Sequence, residues 1–320
     1  MSVALAESMH DAGELVRRYA VQGPRYTSYP TALNFRDDFG VADYDAFLKE
    51  ARRSPSPLSL YVHVPFCHSL CYYCACNKVI TRDPNASRRY LDHLHKELEM
   101  LSDRLGPGRR VTQLHLGGGT PNYLDKAEMT ELVHSLATHF NLDDGSEREF
   151  SIELDPRSVD EDYLALLKGL GFNRISMGIQ DTDLRVQEAI NRVQSTDMIA
   201  RLMGAARRYN FRSVSMDLIY GLPRQTLETF SRTLDDVIAL SPERIALYHY
   251  AHLPQRFKWQ KSMDRHPMPN SEEKLSIFLL AEQRLSEAGY INIGMDHFVK
   301  PEDELAKFQQ EGRLQRNFQG

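Results

Sequence analysis

Cysteine is scarce in this chain of 320 residues: there are four, and all of them fall between Cys67 and Cys76. With none elsewhere there is no disulfide framework, and a scaffold of this length can bury enough core to do without one. Tryptophan occurs once. There is no repeat of fixed period and no low-complexity tract. No apolar run approaches the ~20 residues of a membrane span. Met1 to His10 lacks the basic start and apolar core of a signal peptide, so a reducing cytoplasm is the expected compartment. A formal charge of −5 gives no support for general nucleic-acid binding. What remains is an ordinary globular composition, 42% hydrophobic and 26% charged.

The cysteines are spaced C-x3-C-x2-C-x-C: Cys67, Cys71, Cys74 and Cys76. Four thiols in one short loop point to a soft metal, meaning zinc, Cu(I) or iron–sulfur. Structural zinc sites gather two separated ligand pairs, and no second CxxC or HxxxH follows here. Three thiolates in a loop suit a [4Fe–4S] cluster with its fourth iron open. Zinc and a bare thiol role stay as alternatives.

Around this loop the chain alternates. Strand-like runs at 58–64, 111–116, 149–154, 174–179, 213–219 and 244–250 are separated by helical spacing at 87–105, 126–140, 159–170, 184–190, 196–209 and 227–240. A helix over 272–288 leads to a possible seventh strand over 290–295. Upstream, 44–53 reads as a short helix, 11–20 as another, and Gly23 to Pro30 as an extended arm. Such alternation implies right-handed βαβ units and a parallel sheet. The expected fold is α/β, an incomplete TIM-like (β/α)6 barrel with an N-terminal arm; an open Rossmann-like sheet is the alternative. The expected domains are 1–57 for the N-terminal helix and arm, 58–298 for the barrel and 299–320 for the start of a C-terminal extension, cut short.

In a βα barrel chemistry collects at the C-terminal strand ends, and the polar oddities fall there. Gly117-Gly118-Gly119-Thr120-Pro121 follows the second strand and matches neither a dinucleotide fingerprint nor a Walker loop. It reads either as a tight turn or as a place where a ligand approaches the backbone. Glu153 and Asp155 close the third strand, Gln180 and Asp181 the fourth, and Asp217 lies near the end of the fifth. A carboxylate in an apolar strand needs a partner; for Glu153 and Asp217 that is either an ion pair, with Arg174 or Arg192, or a ligand. His63 and His115 read as core imidazoles, and His68 as a group beside the cluster rather than a ligand to it.

Tyr61-Val62-His63-Val64-Pro65-Phe66-Cys67, the C-x3-C-x2-C spacing and Cys74-Ala75-Cys76-Asn77-Lys78 together resemble the oxygen-independent coproporphyrinogen III oxidase family of the radical S-adenosylmethionine (SAM) superfamily. The resemblance runs from Arg25-Tyr26-Thr27-Ser28-Tyr29-Pro30 to Arg316-Asn317-Phe318-Gln319-Gly320. It implies a radical oxidative decarboxylation of coproporphyrinogen III to protoporphyrinogen IX in haem biosynthesis. It implies Cys67, Cys71 and Cys74 as cluster ligands, with Cys76 and Tyr61 in the catalytic site. Tyr61, Gly118 and Glu153 match positions at a first, cluster-bound SAM. Tyr73, Gly119, Thr120, Gln180, Arg192, Asp217 and Ala251 match positions at a second. Tyr73 stands where phenylalanine is common, and Ala75 where glycine is.

The substrate carries four carboxylates, for which Arg25 and Arg192 are candidate partners. The implied electron donor is a carrier such as a flavodoxin or ferredoxin, and the expected state is a monomer. Family members continue beyond Asn317-Phe318-Gln319-Gly320, so this chain is expected to hold a cluster yet turn over poorly. The competing readings are a haem-trafficking protein on the same scaffold, whose members lack the extra cysteine, and a truncated, inactive fragment. Metal analysis under anaerobic conditions separates the cluster from the zinc barrel: iron with acid-labile sulfide is expected, and zinc alone decides for the alternative.

Overall fold

The computed structural model describes residues 34–315. The arm over 23–30, Arg25 within it, the helix expected over 11–20 and the segment 316–320 lie outside the described residues. In chain order the elements are α1 (Val41–Arg53), β1 (Leu58–Val64), β2 (Phe66–Cys67), β3 (Val79–Ile80), α2 (Ala86–Leu105), β4 (Arg110–Gly118), α3 (Lys126–His139), β5 (Asn141–Leu142), β6 (Glu149–Leu154), α4 (Glu161–Gly169), β7 (Arg174–Gln180), α5 (Leu184–Ala189), α6 (Thr196–Arg208), β8 (Ser213–Tyr220), α7 (Leu227–Leu240), β9 (Arg244–His249), α8 (Ser271–Glu287), β10 (Ile291–Gly294), β11 (His297–Val299) and α9 (Glu304–Gln310).

Strands β1, β4, β6, β7, β8 and β9 lie side by side in that order and all run parallel. This is the incomplete (β/α)6 barrel: among the described residues β1 is one edge of the sheet, so the ring does not close. Parallel strands covered by helices on both faces are usually apolar throughout; these alternate. In β6, Phe150, Ile152 and Leu154 are buried toward the helices, while Glu149, Ser151 and Glu153 face the other way. In β8, Val214, Met216 and Leu218 are buried, with Ser215 and Asp217 between them. The buried set joins Leu91 and Leu98 of α2, Leu132 and Leu136 of α3, Leu164 of α4, Leu202 of α6, and Phe230 and Leu234 of α7 in one core. Each such side chain contributes roughly 1.5–3 kcal/mol by leaving water. The remaining face is polar, and the chemistry-bearing residues sit on it.

The strand expected over 290–295 is present as β10, but it is no seventh parallel unit. Met295 and Asp296, at φ 52° and 68°, turn the chain straight back, and β10 and β11 pair antiparallel, with β11 antiparallel to β9. Two successive positive φ values are the primed hairpin turn, whose twist matches that of the flanking strands. Met-Asp is not the usual residue pair for it, so the sequence gives no warning. β11 spans the expected domain boundary at 298.

Beyond β11, α9 closes the N-terminal end of the sheet. Glu304 takes Arg174 of β7 and Arg212 just before β8, and lies 3.3 Å from Arg244 of β9, which is also held by Asp303 at 2.8 Å. Arg174 further faces Glu149 at 3.4 Å. Three guanidinium groups and three carboxylates balance one another where the strand starts converge. Removing one partner of such a group strands the rest, at a cost of about 3 kcal/mol. Glu304→Ala is therefore expected to lower the chain's unfolding free energy by about that amount, read as a lower midpoint in urea.

Candidate active site

The cysteine loop leaves β1 through Pro65 and stays close to the end of β4. Val79 N–H donates to Pro65 O at 2.7 Å, and Thr81 N–H to Cys67 O at 3.1 Å. The glycine run makes this approach possible. A Cβ on Gly118, at φ 122°, would lie 2.8 Å from Val64 O, and one on Gly119 would lie 2.6 Å from Pro65 O. Those are backbone atoms, which have nowhere to go, so glycine is required here by the chain's own packing. The turn then places the buried Thr120 with its hydroxyl 3.3 Å from Cys67 Sγ. Burial pushes the Cys67 thiol up, and Thr120 opposes the shift.

The rest of the loop is held by side chains from distant segments. Asn191 Nδ2 donates to Leu70 O at 2.7 Å, and Tyr72 N–H to Ile190 O at 3.0 Å. The indole N–H of Trp259 donates to Cys74 O at 2.8 Å, Lys78 Nζ to the same oxygen at 3.0 Å, and the ammonium of Lys78 lies 4.3 Å from the Trp259 ring. Gln260 Nε2 reaches Tyr73 O and Ala251 O, both at 3.2 Å, and so draws those two expected site residues together. Cys71 is buried and Cys76 exposed. Cys74 and Cys76 interact directly: Cys76 holds the Cys74 thiol below its ordinary value, and the Cys76 thiol is pushed up in return.

Two groups of side chains lie on the polar face. The first spans β1, β4 and β6. Tyr61 O–H and His63 Nδ1 are 2.9 Å apart, and His63 Nε2 lies 2.9 Å from Asn77 O. The His115 ring stacks on Tyr61 with centroids 5.8 Å apart, lies 2.7 Å from Ser151 Oγ and meets Glu153 at 3.3 Å. Burial, with Glu153 and Cys76 nearby, pushes the Tyr61 phenol up to about 12. His63 and His115 are thus not the core imidazoles expected. Tyr61 and His115 are paired in register, and strand alternation turns this odd-numbered set away from the core.

The second group spans β7, β8 and the segment after α5. Arg192 is buried and donates to Gly178 O at 2.7 Å, to Asp155 at 3.2 Å and to Cys71 Sγ at 3.5 Å. Gln194 Nε2 donates to Ile179 O at 2.6 Å. Gln180 is 7% exposed, sits at φ 68°, and its Oε1 has no hydrogen-bond partner among the described residues. A buried amide oxygen left unpaired is expensive unless a ligand donates to it. Asp217 accepts from Ser176 Oγ at 3.1 Å. Burial, then the Glu153 charge, pushes its carboxyl up to about 7. The ion pairs envisaged for Glu153 and Asp217 are absent among the described residues, since Arg174 serves the far end of the sheet and Arg192 serves Asp155.

Asp181 is different. It is fully buried and takes Thr233 Oγ1 at 2.8 Å, Gln225 Nε2 at 2.6 Å and Asp183 N–H at 2.8 Å, which makes it a knot tying the end of β7 to α7.

Sequence reasoning passed over Arg157, Gln194, Trp259 and Gln260. A position just past a strand end was the only signal for Arg157; nothing local sets the others apart. Among the described residues no three His, Cys, Asp or Glu side chains are grouped for a single metal ion. The soft donor set nevertheless fits a cluster. Cys67 shares its surroundings electrostatically with Cys71 and Cys74, and N–H or O–H donors already stand at the sulfurs of Cys67 and Cys71.

A thiol loop at the outlet of the first of six side-by-side parallel strands defines a class, and the comparison with known proteins gives the same one. Residues 61–237 match the family model described as the radical SAM superfamily, to which the chain belongs; membership implies a [4Fe–4S] cluster and SAM. The chain is 49% identical over 307 residues to the oxygen-independent coproporphyrinogen III oxidase of Pseudomonas aeruginosa, covering 96% of this chain and 67% of that one. With the Escherichia coli enzyme of that name the figures are 48%, 96% and 66%. The solved structure of coproporphyrinogen III oxidase (HemN) from Escherichia coli superposes with a TM-score of 0.88 at 46% identity, over 96% of this chain and 68% of that one. Within the superfamily, the chain belongs to the oxygen-independent coproporphyrinogen III oxidases. It spans about two thirds of the length of the curated relatives it matches. No described helix is long and apolar enough to cross a membrane.

Asp217 gives a stability test of this site. Its folded pKa of about 7 exceeds the ordinary 3.8, so the native state holds that proton more tightly than the unfolded chain does. Stability therefore falls as pH rises from about 4 to about 7. Asp217→Asn is expected to raise the melting temperature of the ligand-free chain at pH 8, by the equivalent of about 2 kcal/mol after allowing for solvent screening. At pH 4 it should change nothing.

Proposed function

We propose that this chain carries the catalytic barrel for oxygen-independent oxidative decarboxylation of coproporphyrinogen III to protoporphyrinogen IX. The observation that carries the reading is the thiol loop, pinned by its own carbonyls against a polar face with two separate groups of polar side chains. Cys67, Cys71 and Cys74 would hold the cluster. Tyr61, Gly118 and Glu153 would serve the SAM bound to it, and Tyr73, Gly119, Thr120, Gln180, Arg192, Asp217 and Ala251 a second SAM. In support, among the described residues Gln180 offers a buried acceptor without a partner, and Glu153 and Asp217 offer carboxylates that no arginine pairs with. SAM would meet both needs, since its ammonium and ribose hydroxyls are hydrogen-bond donors and its sulfonium is a cation.

The cluster and SAM supply the one-electron radical chemistry; the protein's share is placement. Tyr61 and His115 stack as a flat wall beside Glu153. Cys76, exposed and next to Cys74, is the thiol left over for the substrate side. The reading also places the protein in the cytoplasm, as a monomer, reduced by a one-electron carrier such as a flavodoxin or ferredoxin.

Anaerobic reconstitution, followed by a 5′-deoxyadenosine assay with and without coproporphyrinogen, tests the proposal. Substrate-dependent product is expected; product formation indifferent to the porphyrinogen would overturn it. Serine at Cys67, Cys71 or Cys74 should remove iron, sulfide and brown colour together. Cys76→Ser should keep all three and lose about 10- to 100-fold in turnover, the range typical of a group acting beside the metal ligands.

A further inference from the structure

Cys71 is unlike the other two expected cluster ligands in its surroundings. It is buried, and two guanidinium groups converge on its sulfur: Arg192 Nη1 at 3.5 Å and Arg157 Nη2 at 3.6 Å. Arg192 has a place in the functional reading; Arg157 has none. Its position is nevertheless tightly determined. Arg157 Nη2 donates to Asp155 Oδ2 at 2.6 Å, and its Nε to Oδ1 at 3.0 Å, a two-pronged grip. Asp155 also takes Arg192 at 3.2 Å. The corner itself is fixed by Asn122 of the turn after β4. Its Oδ1 accepts from Asp155 N–H at 2.9 Å, and its Nδ2 donates to Asp155 O at 3.1 Å.

Two cations thus face one carboxylate and one thiolate. Burial alone would disfavour charge on Asp155, yet Arg157 and Arg192 hold its carboxyl below the ordinary value. The group is self-balancing only while Cys71 is a thiolate. Donors to a ligand sulfur, and net positive charge beside it, stabilise the more negative, reduced form of an iron–sulfur cluster.

We infer that Arg157 is a positioning residue that raises the reduction potential of the cluster through the Cys71 sulfur, with Asp155 as its counterweight. This rests on the reading of Cys71 as an iron ligand. The chemistry is the addition of one electron to the cluster from its donor, with no bond made or broken; Arg157 makes the reduced state easier to reach.

The two residues carry opposite charge, so the inference requires shifts of opposite sign. The test is potentiometry of the reconstituted 320-residue chain without SAM, followed by electron paramagnetic resonance, after iron and sulfide have been counted. Arg157→Gln is expected to move the midpoint to more negative values. The expected size is about a tenfold loss in the reduced-to-oxidised ratio, which is about 59 mV for a one-electron couple. Arg157→Lys, which keeps the charge and loses the fork, should move it less in the same direction. Asp155→Asn, which retains a capping oxygen, should move it positive. A full cluster whose potential is unmoved in Arg157→Gln overturns the inference alone, as do shifts of one sign in Arg157→Gln and Asp155→Asn. A wild-type chain that assembles no iron and sulfide overturns the functional reading and this inference with it.

Discussion

A loop that must present three thiols in fixed positions has no room for a hydrophobic core of its own. Here that constraint is met by tying down its backbone oxygens. The carbonyls of Leu70, Tyr73 and Cys74 each accept from a side chain that lies more than a hundred residues away. Those of Pro65 and Cys67 accept from the strand-like return of the loop. A carbonyl bound by a rigid donor loses little further entropy when a ligand arrives, so the ordering is settled at folding rather than at binding. The donors come from the end of α5, the segment after β9 and the return strand β3, so the loop is correct only when most of the sheet is already assembled. Sheet and loop are in this sense a single requirement.

The strand–helix alternation was legible because each strand has one face to bury. Ile152 and Leu154, or Met216 and Leu218, leave period-two traces, and the helices between them have clean starts such as Asp125 with Glu128, which cap one another reciprocally. Three features were not legible. The β10–β11 hairpin turns through Met295-Asp296, a pair without the glycine or asparagine that announces such a turn. His63 and His115 occupy strands that look apolar, and only the alternation of their neighbours shows that they face the polar side. Arg157 follows a strand in a stretch that reads like any solvated loop, because the sulfur it serves lies 86 positions away.

Three carboxylates near strand ends show why position alone does not define a role. Asp181, Asp217 and Asp155 all sit where a barrel collects its chemistry. Asp181 has three donors and is satisfied. Asp155 has two guanidinium groups. Asp217 has the Ser176 hydroxyl and a like charge nearby. The environment of the first two is complete without a ligand, whereas the third gains from one. The glycine run teaches the same lesson from the other side. Missing side chains invite the thought of a ligand, and at Gly118 and Gly119 they serve the chain's own packing as well, because the carbonyls of Val64 and Pro65 fill the space a Cβ would take.

The charge knot at the sheet's other end has a consequence for how the molecule breathes. Glu304 bridges the starts of β7, β8 and β9 to a helix that follows the hairpin, so those strands and α9 must open together or not at all. A disturbance at Glu304 is therefore felt at the starts of three strands at once, far from the thiols that those same strands carry at their other end.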